Sequence, residues 1–211
     1  MDYNLYRALL KQNQHHLDEL LAIVQRSGEP LEGNCFYYHN TFETDASFEN
    51  KQRNIMQLAS QSNNILEIGF NAGHSAFLML VMNPVCRIHA FDICEHSYTK
   101  PCLDYLNSVF DNRVTLHEGN SHQTLAEYSQ LPDTAGSFDL LHIDGYHEYF
   151  HTNLDFFGSR AFAKSGAYCI FDDVDDPGLK SLWDGYVKDG HLTEVQLLDT
   201  PTYAHALGKY E

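Results

Sequence analysis

Two apolar runs of this chain end abruptly in acid: Phe138-Asp139-Leu140-Leu141-His142-Ile143-Asp144 and Ala167-Tyr168-Cys169-Ile170-Phe171-Asp172-Asp173. A run of that length reads as a buried strand of a parallel sheet. Open α/β sheets bind ligands beyond the carboxyl ends of their strands, which is where these acids fall. Three carboxylates there, Asp144, Asp172 and Asp173, suit a hard divalent cation, which prefers oxygen ligands. Asp175, Asp176 and Pro177 follow directly, so a solvated loop or a helix cap is the plainer reading of the Asp-Asp pair.

A third run, Ile65-Leu66-Glu67-Ile68-Gly69-Phe70-Asn71-Ala72-Gly73, places glycines where a strand turns into a helix. Gly69 permits a tight turn, and Gly73 permits close approach of a ligand or a packed helix. The spacing is ExGxxxG rather than the GxGxxG of dinucleotide folds, and a turn without any ligand also fits it. Asp92 closes the next strand, Ile88-His89-Ala90-Phe91-Asp92, about twenty residues on, where an acid accepts hydrogen bonds from a ribose. Loop and acid together point to an adenosine-containing cofactor beside the cation.

The elements that must hold these residues alternate along the chain. Strands are predicted at 64–68, 86–92, 113–117, 138–143, 167–172 and 192–198, with helices near 74–82, 98–110, 121–130, 148–163 and 177–188. Alternation of this kind gives an α/β fold, a mostly parallel Rossmann-like sheet with helices on both faces. The stretch 202–207 follows too closely for a crossover and reads as an antiparallel C-terminal hairpin strand. Before the core, Leu5, Leu9, Leu10, Leu17, Leu20, Leu21 and Val24 keep a helical period that Gly28 ends, and Ser47 is placed to cap a second helix. The whole reads as one domain, residues 1–211, in which 1–47 form a capping helix and loop and 48–211 the core. The first helix is placed either to cover the sheet or to make a homodimer contact.

At 211 residues, one domain buries roughly 70% of its unfolded surface. The formal net charge of -16, from 29 acids against 13 Lys and Arg, repels phosphate backbones and argues against nucleic acid as partner. The longest apolar stretch, 76–82, is far short of the ~20 residues that cross a bilayer, so no membrane is expected. The amino end lacks the apolar segment of a signal peptide. Five cysteines without framework spacing fit a reducing, cytoplasmic setting. His147 and His151 lie four apart like zinc ligands, but without the HExxH glutamate pattern. His142 reads as a packed strand residue, and His15 and His16 as solvated.

With these residues in place, the chain resembles the class I S-adenosylmethionine-dependent methyltransferases. More narrowly it resembles the metal-dependent small-molecule O-methyltransferases, including the catechol O-methyltransferase-like enzymes and the bacterial group acting on sugars and antibiotics. The bacterial motif, roughly DGxHxY with a later Asp, reads here Asp144-Gly145-Tyr146-His147-Glu148-Tyr149 with Asp155. The resemblance spans about residues 43–175. It implies that Glu67, Gly69, Asn71 and Gly73 hold the methionine part of S-adenosylmethionine, with Ser75 near its carboxylate and Asp92 on the ribose. It also implies Ser121 and His122 beside the adenine and Tyr146 packed on it. Asp144, Asp172 and Asp173 would hold Mg2+ or another divalent cation, Asp173 standing where some relatives have Asn. His147 would be the base, where the catechol enzymes have lysine; a neutral imidazole of ordinary pKa ~6.5 is available at pH 7. A plainer role for His147 is to orient its loop.

The implied reaction is methyl transfer to a hydroxyl of a small molecule or sugar, made nucleophilic by a cation and a base. Two other readings stay open: a nucleotide-cofactor oxidoreductase, and a binding protein that keeps the cofactor pocket without turnover. Acceptor contacts are expected from 28–47 and 174–190, where Phe36, Tyr37, Tyr38, Trp183 and Tyr186 could line a pocket or belong to the core.

Overall fold

A computed structural model describes residues 1–38 and 41–211. In chain order it contains α1 (Tyr3–Ser27), a 3-10 turn (Ala46–Phe48), α2 (Glu49–Ala59), β1 (Asn64–Ile68), α3 (His74–Met82), β2 (Arg87–Asp92), α4 (Thr99–Val109) and β3 (Val114–Glu118). There follow α5 (Ser121–Tyr128), β4 (Phe138–Ile143), α6 (Tyr149–Arg160), β5 (Ala163–Phe171), α7 (Pro177–Lys188), β6 (Leu192–Glu194) and β7 (Ala206–Tyr210). The sheet order is β3-β2-β1-β4-β5-β7-β6, parallel except for β7, which runs antiparallel to both β5 and β6. The order reverses between β1 and β4, which makes their carboxyl ends the crevice of the fold. The Rossmann-like expectation therefore holds.

Strand alternation divides the core into two layers. Ile65, Ile88, Leu140 and Ile170 pack with α1 to α4, while Leu66, Leu141, Cys169 and Phe171 pack with α5 to α7. The first helix is part of this core: Leu17, Leu20, Ile23 and Val24 are buried on its inner face. Its ends are set locally, by Asp2 accepting from the Leu5 amide at 3.0 Å and by Gly28 in the left-handed conformation. Trp183 and Tyr186 belong to the second core layer, not to a pocket.

Three boundaries differ from the sequence pattern. Ser47 caps nothing; Asp45 accepts from the Ser47 amide at 2.8 Å and starts the 3-10 turn that leads into α2. The strand predicted at 192–198 stops at Glu194, because Asn54 captures both the amide and the carbonyl of Leu198 and draws the chain off the sheet. The last strand then begins at Ala206 rather than 202. Its register is tight at Gly208, where an added Cβ would lie 2.7 Å from Trp183 Cη2.

Gly208→Ala is expected to destabilise the fold by about 1–3 kcal/mol, the usual cost of overpacking. Gly185→Ala, in the middle of α7 with open space around it, should instead stabilise by about 0.5–1 kcal/mol. Urea denaturation followed by the fluorescence of Trp183 reads both; equal effects of the two substitutions would contradict the packing described.

Candidate active site

The carboxyl ends of four neighbouring strands, β2, β1, β4 and β5, are stitched together by main-chain bonds. The Gly69 amide donates to Phe91 O at 2.9 Å, Asp144 to Ile68 O at 2.9 Å, and Asp172 to Ile143 O at 3.0 Å. Gly69 has φ +90°, and a Cβ there would fall 1.9 Å from the Asp144 carbonyl oxygen. No side chain fits between the loop after β1 and the acid after β4. Gly73 is needed for a different reason: a Cβ would meet Phe70 Cζ at 2.7 Å and Leu106 Cδ1 at 2.8 Å, so its bareness lets the loop pack against α4.

A cavity of about 800 Å³ opens over this junction, lined among others by Gly69, Asn71, Ser75, Asp92, Ser121, His122 and Tyr146. Seven of the nine residues expected at the cofactor thus share one cavity. Glu67 and Gly73 lie behind its wall. The side chains that line it are already engaged. Asp92 accepts from the amides of Phe70 (2.7 Å), Asn71 (2.8 Å) and Cys94 (2.6 Å), which shapes the glycine loop around its carboxylate. Asn71 donates to Glu32 O and, at 2.8 Å, to Gly33 O, tying the loop to the capping segment. Ser121 donates to the buried Asp155 at 2.6 Å, and the His122 ring stacks on His151. Tyr146 is exposed and edge-on to His151.

Beyond the glycine loop the cavity meets the acids. Along β1, β4 and β5, alternation puts Glu67, His142, Asp144 and Asp172 on the α1–α3 side, and Glu67 and His142 are register partners. Glu67 Oε1 accepts from Ser75 Oγ at 2.5 Å and lies 3.1 Å from His142 Nδ1. From α2, the buried Lys51 ammonium reaches Asp172 Oδ2 at 2.5 Å. His147 Nε2 sits 2.9 Å from Asp173 Oδ2 and 3.5 Å from Asp144 Oδ1. A second, smaller cavity of about 160 Å³ borders this cluster; Tyr37, Phe48 and Tyr203 complete its wall.

The charges tune one another. Burial and the Asp172 charge raise Asp144 to about 6, against the pull of His147 and Lys51. Burial also disfavours the Asp172 carboxylate, but Lys51, His205 and His142 outweigh it and hold the group well below the usual range. Burial opposes the Lys51 charge too, yet Asp172, Asp144 and Asp173 keep it firmly protonated. The His147 imidazole is not at its ordinary value: despite burial, Asp144 and Asp173 raise it to about 11, although its ring is 48% exposed and water screens part of that effect. His142 is likewise raised, burial being outweighed by Glu67, Asp144 and Asp172.

Among the described residues, two sets of ligand-type atoms lie within 4.8 Å of one another: His142, Asp144 and Asp172, and Asp144, His147 and Asp173. The three carboxylates expected to act as one set are therefore split into two that share Asp144. Lys51 and His142 were missed in the sequence, although the two-residue alternation of β4 carried the signal for His142. The helix cap expected at the acid pair belongs to Asp176, which accepts from Gly178 at 2.7 Å and Leu179 at 3.0 Å. Phe36 is buried against His74 and lines neither cavity, whereas Tyr37, edge-on to His74, borders the smaller one. His16 is half-buried and bonds Tyr105 at 2.8 Å, while His15 is exposed.

Residues 66–174 match the family model described as a methyltransferase domain. The chain belongs to that family. With the fold, this makes the protein a class I S-adenosylmethionine-dependent methyltransferase, and the oxidoreductase reading falls away. Among solved structures, an O-methyltransferase from Bacillus cereus in complex with S-adenosylhomocysteine is 15% identical, with 93% of this chain and 91% of that one covered and a TM-score of 0.70. The Streptomyces achromogenes O-methyltransferase TomG, involved in tomaymycin synthesis and solved with S-adenosylmethionine, is 20% identical over 76% and 78% of the chains, TM-score 0.61. CalS11, a TDP-rhamnose 3'-O-methyltransferase of calicheamicin biosynthesis, is 20% identical over 75% and 77%, TM-score 0.57. At such identities the likeness is one of fold. No curated protein sequence matches. No helix among the described residues is long and apolar enough to cross a membrane.

Two histidines near the site are buried neutral and make a pH signature for this methyltransferase. Burial lowers His74, whose ring nitrogens have no partners, to about 4 and His205 to about 3, from 6.5. At these two positions the unfolded chain binds more protons than the folded one below pH 6.5, so their contribution to stability is full above that value and falls as pH drops toward 4. The expected slope is up to ~1.4 kcal/mol per pH unit per histidine. His74→Phe should flatten the decline by about one such contribution in urea titrations at stepped pH; an unchanged slope would show that His74 does not titrate as described.

Proposed function

We propose that the protein transfers the methyl group of S-adenosylmethionine to a hydroxyl oxygen of a small molecule or sugar, with a divalent cation in the acidic site. The observation that carries this reading is the Gly69–Asp144 junction. The cofactor loop and the acid cluster meet there without an intervening side chain, and the large and small cavities share Lys51, Asp144 and His147. A cofactor in the large cavity and an acceptor in the small one would face each other across that junction. TomG and CalS11 lend support by analogy, since TomG is involved in tomaymycin synthesis and CalS11 is a TDP-rhamnose 3'-O-methyltransferase of calicheamicin biosynthesis.

The site residues fit a cation. Asp172 Oδ1 and His142 Nε2 are buried without partners at the acid cluster, and such orphans are costly unless something meets them. When bound, a divalent cation at Asp144 and its neighbours would supply Lewis acidity to lower an acceptor hydroxyl's pKa, and would offset the carboxylate charges that keep His147 protonated. S-adenosylmethionine supplies the electrophilic methyl. The protein's own part is positioning and proton transfer. Asp144, held by the β1–β4 main-chain bond, orients the acidic end; Lys51 offsets one buried carboxylate; His147 Nε2, at the mouth, receives the acceptor's proton. Ser121, His122 and Tyr146 form the adenine end, and Asp92 keeps a lone pair for a ribose hydroxyl beyond the three amides it accepts. The free cysteines support a reducing, cytoplasmic setting.

Removing divalent ions with EDTA is expected to abolish methyl transfer while S-adenosylhomocysteine still binds by calorimetry. His147→Ala should lower kcat on the order of 10²-fold or more. Turnover that is indifferent both to EDTA and to loss of His147 would sink the metal-and-base mechanism. Cofactor binding without transfer to any of a broad panel of hydroxyl acceptors would favour the non-catalytic reading.

A further inference from the structure

We infer that His142 is itself a ligand of the site, so that a His142–Asp144–Asp172 set takes a first-row transition-metal dication, Co2+ more tightly than Mn2+, in preference to Mg2+. This rests on the reading that the acidic site holds a divalent cation. His142 is fully buried in the middle of the sheet, two residues before Asp144 on the same face of β4. Its Nδ1 lies 3.1 Å from Glu67 Oε1. A carboxylate oxygen accepts, so Nδ1 carries the hydrogen, and in the neutral ring, the form that binds a metal, Nε2 points its lone pair the other way. That atom has no hydrogen-bond partner and lies 3.8 Å from Asp144 Oδ2.

Asp172 is arranged in a complementary fashion. Lys51 holds its Oδ2, while Oδ1 is buried and unpartnered. The three residues thus offer one imidazole nitrogen and two carboxylate oxygens within 4.8 Å of one another, and small side-chain rotations bring such atoms to coordination distance. Glu67 completes the arrangement. A carboxylate on the far nitrogen of a metal-bound imidazole fixes the tautomer and raises ligand basicity, a pairing that recurs around protein-bound metals. Ser75 in turn holds Glu67. This assigns to Glu67 a task at the cation, behind the wall of the cofactor cavity.

The ligand type decides the metal class. Mg2+ is bound through oxygens and retains its waters, whereas an imidazole nitrogen favours first-row transition ions over it, Co2+ more than Mn2+. An ion in this inner set uses Asp144 and leaves Asp173 and His147 as an outer pair at the mouth of the site, where the acceptor enters.

The test is metal binding by the EDTA-stripped full chain, titrated separately with Mg2+, Mn2+ and Co2+ by calorimetry, with pulsed electron paramagnetic resonance of the Mn2+ form. The wild type is expected to bind one Mn2+ or Co2+ per chain more tightly than Mg2+, and to show a directly coordinated nitrogen. His142→Gln should lower Co2+ affinity about 10–100-fold or more and remove the nitrogen signal, while S-adenosylhomocysteine binding persists as the check on folding. Glu67→Gln, which keeps the shape but not the charge, should weaken Co2+ by about 10–100-fold. An unchanged nitrogen signal and Co2+ affinity in a folded His142→Gln overturns the inference alone. Failure of the wild type to bind any of the three ions overturns the divalent-cation reading as well.

Discussion

The contact of Gly69 with the Asp144 carbonyl governs the rest of the molecule. Because β1 and β4 are hydrogen-bonded neighbours at the point where strand order reverses, the loop that turns out of β1 and the acid that ends β4 must share one small space. That space admits no Cβ. The glycine loop after β1 is consequently at a fixed distance from the acids. In the proposed reading this scaffold holds methyl donor and methyl acceptor side by side, and rigid placement of two reactants is worth several kcal/mol of the barrier.

The second constraint is charge. Glu67, Asp144, Asp172 and Asp173 crowd the ends of adjacent strands, and a cluster of carboxylates out of water is unstable without cations. The chain supplies three partners from different elements: Lys51 from α2, His142 from β4 itself and His147 from the loop that follows it. Lys51 links the capping segment to the site, since α2 is placed through the 3-10 turn and through Asn54 at the Leu198 backbone. The glycine loop, α2 and the loop after β4 thus meet around one cluster of ion pairs. The partners are enough to make the cluster foldable yet leave specific atoms unpaired, which is the condition for a site that attracts a cation and still exists without it.

Much of this was legible in the sequence and some was not, for identifiable reasons. The acid-tipped runs gave β4 and β5 and the clustering of the acids beyond them, because a two-sided buried strand must be apolar until it ends. Glycines 69 and 73 were readable as necessary, but not why, since one faces a carbonyl across the sheet and the other a helix far along the chain. His142 passed as a packed residue because its partner, Glu67, lies 75 residues away in sequence and opposite only in register. Lys51 gave no signal, as a lysine on an amphipathic helix is ordinarily solvated. The C-terminal strands were misplaced because Asn54, outside any local pattern, decides where the chain leaves the sheet.

One measurement bears most directly on the account: the affinity of the S-adenosylhomocysteine-bound protein for Mn2+, in wild type and in Asp144→Asn. Asp144 belongs to both ligand sets, so the account predicts a single Mn2+ site that is largely lost in the variant while cofactor affinity stays close to that of the wild type. Equal Mn2+ affinity in the two proteins, with the cofactor bound in both, would contradict the central claim that the acids at the ends of β4 and β5 form the acceptor half of a methyl-transfer site.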